Sequence, residues 1–209
     1  MSNELIIIGA SGHGKVVADI ARKNNYENIV FLDDNLDVKT CGNYPVIGGC
    51  CVAVNHQDSD FIVAIGNAKI RQKIQSKLLE QGFNVVTLIH PAAVVASDVE
   101  IGIGTVIMAG AVINPCTKIG QGCIINTCSS VDHDCRIGDY VHVSVGAHTS
   151  GTVTIGDSTW IGAGATVSNN IEITSGCVIG AGAVVINDLL EKGTYVGVPA
   201  RLQFFTDHQ

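Results

Sequence analysis

The 209-residue chain is 46% hydrophobic and carries a net charge of -7, with 12 basic residues that form no run. It is long enough to bury a real core in two modest domains or one extended one, and electrostatic capture of nucleic acid or of an anionic membrane is disfavoured. The apolar stretch Leu5–Ile8 is too short for a signal-peptide core or a spanning helix, so no membrane span and a cytoplasmic address are expected.

In chain order, Leu5–Ile8 reads as a buried parallel strand, GASGHG (Gly9–Gly14) as a turn, and Lys15 to about Asn24 as a helix with Val16, Val17, Ile20 and Ala21 on one face. Ile29–Leu32 is the next strand, closed by Asp33 and Asp34, and Phe61–Ile65 is another, ending at Gly66 and Asn67. A helix follows over about Lys69 to Gln81, and Val85–Ile89 is a last strand ending at His90 and Pro91. The pattern predicts a small Rossmann-like βαβ domain over residues 1–90. Its ligand site belongs at the carboxyl ends of the strands, where Gly9–Gly14, Asp33, Asp34 and Gly66 converge. The glycine turn opens a helix whose free N–H groups and dipole favour phosphate, and an acid about 20 residues later is the usual partner for a ribose or base donor. The spacing G-x-x-G-x-G disfavours a dinucleotide such as NAD. A tight turn with no ligand is the competing interpretation, and His13 favours function because a turn needs no imidazole.

From Ile101 to Val185 an aliphatic residue returns every sixth position, and Thr149 alone among the fifteen stations is neither Val nor Ile. A period of six fits neither a helix nor a flat strand, so the chain turns a corner once per repeat. Small residues such as Thr105, Ala111, Cys123, Cys135, Ala165 and Cys177 fill the fourth place after most stations, the pattern of a parallel β-helix of hexapeptide repeats over residues 91–209. Three hexads per coil give about five coils, roughly 24 Å of stacked strands. The open ends need caps, which the N-terminal domain and the segment Leu189–Phe205 are placed to supply. The eight cysteines show no C-x-x-C spacing, and Cys123, Cys135 and Cys177 sit on the inward phase, where a thiol acts as a small hydrophobe. Reduced, buried cysteines agree with a cytoplasmic address.

His133 and His142 fall off the buried phases, on successive faces of the prism. In Val131–Cys135, with sequence VDHDC, the imidazole lies between two carboxylates and is suited to removing a proton near neutral pH. Adjacent strand residues face opposite ways, so a direct His133–Asp134 bond needs a local corner. An 18-residue coil puts position 133 level with Pro115 and Gly151, and position 142 level with Ile124 and Trp160. A site shared by the two histidines would be built between subunits. Each histidine also admits the plainer interpretation of a solvated surface imidazole. A zinc site of His133, His142 and His148 across a trimer interface is conceivable, although their repeat phases do not converge.

Seven motifs span nearly the full length: GASGHGK at Gly9–Lys15, FLDD at Phe31–Asp34, AIGN at Ala64–Asn67, LIHP at Leu88–Pro91, INTCSSVDHDC at Ile125–Cys135, HVSVGAHTSG at His142–Gly151 and YVGVPAR at Tyr195–Arg201. Together they resemble the bacterial sugar O/N-acyltransferase family, the group of sialic acid O-acetyltransferases and UDP-4-amino-sugar N-acetyltransferases. The resemblance implies a homotrimer of left-handed β-helices, acetyl-CoA in the groove between neighbouring helices, active sites between subunits, a nucleotide-sugar held by the N-terminal domain, and no metal. By motif match it implies His133 as general base and Asp134 as the carboxylate that enhances it, where some relatives carry Glu. It implies His142 at the thioester region of acetyl-CoA, and Ala163 and Ala181 as positions whose backbone binds that cofactor. Ser11, Gly12, His13, Asp33, Asp34 and Gly66 match the nucleotide-sugar contacts. The implied activity is N-acetylation of the 4-amino group of a UDP-linked amino-dideoxy sugar in bacterial glycan biosynthesis. GDP-perosamine-type N-acetylation and sialic acid O-acetylation share the same signatures, and a non-catalytic nucleotide-sugar-binding scaffold is the alternative from another class.

Overall fold

The computed structural model describes residues 4–203. Its first part comprises β1 (Glu4–Ile8), helix α1 (Gly12–Lys23), β2 (Asn28–Leu32), a hairpin of β3 (Thr40–Cys41) and β4 (Tyr44–Gly48), β5 (Asp60–Val63), helix α2 (Ala68–Glu80) and β6 (Asn84–Val85). The unbroken aliphatic run of β1 marks a strand covered on both faces, and Leu5, Ile6 and Ile7 are fully buried. The strands line up as β3-β4-β2-β1-β5-β6. Because β1 pairs in parallel with β2 on one side and β5 on the other, the winding reverses between β1 and β5. The crevice outside their carboxyl ends is therefore the ligand position of an open α/β sheet.

Three local features differ from the sequence expectation. Helix α1 starts at Gly12, not Lys15, because Gly14 lets its first turn rest on the preceding loop: a Cβ there would collide with the Gly9 carbonyl and the Phe31 ring. That shift leaves Val16 at the edge of the buried face and exposed, while Val17, Ala18, Ile20 and Ala21 pack inward. The expected strand Val85–Ile89 divides, with β6 finishing the first sheet and Leu88–Ile89 pairing with Val106–Ile107 of the solenoid. The six-residue beat thus begins two stations before Ile101, at Ile89 and Val95. The β3–β4 hairpin and the 3-10 helix Cys50–Asn55 had no counterpart in the expectation.

The second part is a parallel β-helix of two-residue strands on three faces. Face one runs from Leu88–Ile89 to Val178–Ile179 and is extended by Thr194–Val196 and the antiparallel edge Arg201–Leu202, face two runs from Val94–Val95 to Val184–Val185, and face three from Glu100–Ile101 to Glu172–Ile173. Each strand pairs with its equivalent one coil on, as Ile107 with Ile125 and Ile125 with Val143. The stations point inward and the fourth-place residues pack beside them, so Ile125, Val143, Ile161, Cys123, Cys135 and Cys177 are fully buried. Burial pushes the Cys123 thiol up to about 12, which makes it an inert core residue. Thr149, the polar station, is also buried, and its hydroxyl donates to the Ser130 carbonyl.

The N-terminal domain does not cap the solenoid as expected; it flanks it. Val17, Ala18, Ile20 and Ala21 of α1 share a core with Leu88, Val106, Met108 and Ile124 on the outer side of face one. Those face-one residues are themselves apolar, so covering them removes apolar surface from water. Ile89, Val95, Val99 and Ile101, which line that first coil, stay partly exposed. At the other end Leu189 bridges Ile173, and Tyr195 and Ala200 join the core. Phe204 and Phe205 of the expected cap lie outside the described residues.

Candidate active site

The switch point between β1 and β5 brings together two loops, Gly9–Ser11 and Ala64–Gly66. Ser11 is the N-cap of α1 and, with Gly12, is exposed at the crevice. Of the two acids, Asp33 is consumed by the protein itself. Its Oδ2 accepts from the Ala10 N–H at 2.7 Å and its Oδ1 from the Asn35 N–H at 2.9 Å, so it braces the glycine loop. Asp34 accepts from the Cys50 N–H at 2.8 Å through Oδ1 and borders a separate cavity of about 400 Å³ with Lys73 and Lys77.

His13 and Gly66 face the solenoid. The Nε2 atom of His13 is buried with no hydrogen-bond partner among the described residues, and burial, with the positive charge of Arg71 adding to it, lowers the ring to about 4. Gly66 and its neighbours Asn67–Lys69 form one wall of a cavity of about 640 Å³, and His142, Trp160 and Val178 on face one form the opposite wall. Gly66, one of the predicted nucleotide-sugar contacts, and the predicted thioester histidine therefore border one space. His142 is held neutral, at about 4, by burial first and then by Arg71 and His13.

Two residues that the sequence did not single out as functional hold this ring. Asn126 Oδ1 accepts from the Thr127 N–H at 2.7 Å, which turns its amide nitrogen toward His142 Nε2 at 3.1 Å. Nε2 is then the acceptor, and Nδ1 carries the proton and is left to donate. Trp160 lies parallel to the imidazole, with centroids 5.7 Å apart, and is fixed in turn by an Nε1–H bond to Ser144 Oγ of 2.6 Å. The 18-residue register had already placed Trp160 beside His142; Asn126, sixteen residues away, carried no such signal.

On the vertex between faces one and two, Ala163 and Ala181 are exposed. Among the described residues neither backbone N–H finds an acceptor, whereas their neighbours are spent on the ladder, as Gly164 N–H to the Val145 carbonyl and Gly182 N–H to the Ala163 carbonyl. Two free donors one coil apart can receive the amide carbonyls of an extended ligand.

His133 occupies a different vertex, between faces two and three. Asp134 adopts φ 60°, a left-handed conformation that Asp tolerates, and this supplies the corner a direct bond requires. His133 Nδ1 donates to Asp134 Oδ2 at 2.7 Å. That bond raises the imidazole pKa above its usual value, with the charges of Asp132 and Asp134 adding to it. It also leaves the lone pair on Nε2, on a ring that is more than half exposed. Asp132 serves the backbone, its Oδ1 accepting from the His133 N–H at 2.8 Å and from Asn114 Nδ2 at 2.6 Å.

One coil on, Gly151 leaves room for the ring: a Cβ there would stand 2.6 Å from His133 Nε2 and Cε1. Gly151→Ala is expected to swing the imidazole away and lower kcat by about 10²-fold, the usual cost of a misplaced reacting group. The melting temperature should move by no more than a few degrees, because the ring is solvent-facing. Steady-state kinetics beside a thermal melt checks both.

His148 bonds Ser130 Oγ at 2.9 Å, so the three histidines of the conceivable zinc site go to separate partners. Among the described residues no group of three or more His, Cys, Asp or Glu is arranged to hold a metal ion, and no helix is long and apolar enough to cross a membrane.

Residues 4–78 match the PglD N-terminal domain family, and residues 152–187 match the bacterial transferase hexapeptide (six repeats) family. The chain is 36% identical over 108 residues to UDP-N-acetylbacillosamine N-acetyltransferase of Bacillus subtilis (strain 168), covering 49% of this chain and only half, 50%, of that protein. It is 34% identical over 154 residues to GDP-perosamine N-acetyltransferase of Escherichia coli O157:H7, covering 70% of each. The acetyltransferase domain of PglB from Neisseria gonorrhoeae FA1090, also solved in complex with acetyl coenzyme A, is similar with a TM-score of 0.93 at 40% identity, over 97% of this chain and 100% of that one. PerB from Caulobacter crescentus, in complex with CoA and GDP-perosamine, has a TM-score of 0.91 at 36% identity, over 96% and 97%.

Proposed function

The chain belongs to the hexapeptide-repeat sugar acetyltransferases, and on that premise we propose that it is an acetyl-CoA-dependent N-acetyltransferase acting on the 4-amino group of a nucleotide-linked amino-dideoxy sugar in bacterial glycan biosynthesis. The observation that carries this reading is the His133–Asp134 pair, bonded at 2.7 Å on an exposed corner of the left-handed β-helix. The neutral sugar amine attacks the thioester carbonyl carbon, forming the C–N bond. His133 Nε2 takes the proton released from the resulting ammonium. The tetrahedral adduct then expels the CoA thiolate, which takes up a proton, leaving an acetamide and free CoA thiol.

The other groups have matching roles. The Nδ1–H of neutral His142 is available to the thioester oxygen, and the Ala163 and Ala181 N–H groups to the pantetheine amides. Ser11, Gly12, His13, Asp34 and Gly66 hold the nucleotide-sugar, with Asp33 acting through the loop it braces. The assembly is a homotrimer: His133 and the Ala163–Ala181 donors sit on different vertices of a three-sided prism, and only a neighbouring prism can set one against the other. The enzyme works in the cytoplasm, in keeping with its free cysteines.

UDP is the first choice of carrier. The likeness to the GDP-perosamine enzymes makes GDP the second. Incubation with acetyl-CoA and a panel of UDP- and GDP-linked 4-amino sugars, read as free thiol and product mass, should show turnover with one carrier. Thiol release with sialic acid and with no amine would sink the proposal.

A further inference from the structure

Helix α2 contributes a side chain that the mechanism above does not use. Arg71 is 1% exposed, and among the described residues it forms no ion pair. All of its bonds go to backbone carbonyls of two different units. Nη1 donates to the Ile65 and Gly66 carbonyls at 2.7 and 2.8 Å, at the end of the nucleotide loop. Nε donates to the Gly122 carbonyl at 2.6 Å, and Nη2 to the Tyr140 carbonyl at 2.8 Å, on one corner of two successive coils. One helical turn later, Gln75 Nε2 donates to the Ile103 carbonyl of the coil below at 3.1 Å.

A buried charge with no counter-ion costs stability relative to an apolar side chain of similar volume, even with its donors met. Burial lowers this guanidinium only to about 10, so it stays charged at neutral pH. Packing between the domains is already supplied by the apolar core around α1, Val106 and Ile124. What the guanidinium adds is geometry, because a planar fork bonded on both sides fixes distance and orientation together. On one side it grips Gly66; on the other it grips Tyr140, two residues before His142. Gly66 and His142 border the same cavity of about 640 Å³.

We propose that Arg71 is a positioning residue for the transfer, holding the nucleotide-sugar loop at Gly66 at a fixed separation from the coil that carries His142. This rests on the reading that Gly66 touches the nucleotide-sugar and His142 the thioester. A displacement of about 1 Å between two bound reactants costs on the order of 10²-fold in rate, so one fork in this place governs turnover.

Arg71→Gln and Arg71→Lys in the full-length chain test it. Arg71→Gln should raise KM for the nucleotide-sugar about tenfold and lower kcat, while KM for acetyl-CoA stays within about twofold. Amide hydrogen exchange across residues 62–68 should rise about tenfold, with that of residues 124–143 unchanged. Arg71→Lys, which keeps the charge but not the fork, should fall between the two. A folded Arg71→Gln protein with wild-type KM for the sugar and unchanged exchange at 62–68 overturns the proposal, and so does exchange that rises uniformly along the chain. If Arg71→Gln does not fold, the same comparisons on Arg71→Lys decide. A wild-type protein that acetylates no amino sugar in the panel defeats the functional reading alone, and the exchange data then still decide whether Arg71 holds the loop.

Discussion

Replacement of His133 by Ala is expected to lower kcat by about 10²- to 10⁴-fold while acetyl-CoA binds nearly as in the wild type. His133 Nε2 carries a free lone pair on this vertex, whereas Asp132 is bonded to Asn114 and the backbone, and Asp134 to the imidazole itself. Cofactor binding is assigned to His142 and to the Ala163 and Ala181 N–H donors, which the substitution leaves in place, so cofactor affinity should depend little on His133. The ring is more than half exposed in the isolated chain, so its removal opens no core cavity and the fold should survive. Single-turnover rates, calorimetric titration with CoA and a thermal melt separate these effects. Wild-type-like turnover in the variant would refute the assignment of the base.

Asp134→Asn tests the second half of the pair through the pH profile. Asn tolerates the left-handed backbone at this corner as well as Asp does, so the substitution removes charge without forcing a new turn. The base acts in its neutral form. In the wild type, Asp134 raises the pKa of His133, so kcat/KM should climb as pH passes through a midpoint above 6.5, the ordinary imidazole value. In Asp134→Asn that midpoint moves down toward 6.5, while the plateau at high pH falls by about 10- to 10²-fold because the base is weaker and less firmly oriented. His142 should not appear in this limb, since burial keeps it neutral down to about 4. A profile with an unmoved midpoint would show that Asp134 does not tune the base.

The solenoid was legible because its signal is repetitive: a single misfit such as Thr149 cannot hide a beat that recurs every six residues, and the structure even extends the beat back to Ile89. The α/β domain was legible in its strands, since a short aliphatic run such as Leu5–Ile8, closed by a glycine turn, suits a strand covered on both faces. Its edges were not. The start of α1 depends on the contact between Gly14 and Gly9, which exists only after folding, and the hairpin pairs the two-residue β3 with β4, a strand that fully buries none of its residues and so carries no buried apolar run. Arg71 escaped notice for a related reason. A lone arginine on an amphipathic helix reads as solvated, and only docking of α2 against the solenoid corner turns it into a buried bridge.

The sequence by itself determined the two units, the inward phase that buries Cys123, Cys135 and Cys177, and the candidates His133 and His142, because each follows from spacing along one chain. Tertiary structure decided which of these meet. It joined Gly66 to His142 across one cavity, spent Asp33 on the glycine loop, set the Asp134 corner that closes the bond to His133, and laid the N-terminal domain along face one instead of over the open end. Those outcomes depend on distances between segments far apart in sequence, which local periodicity does not encode.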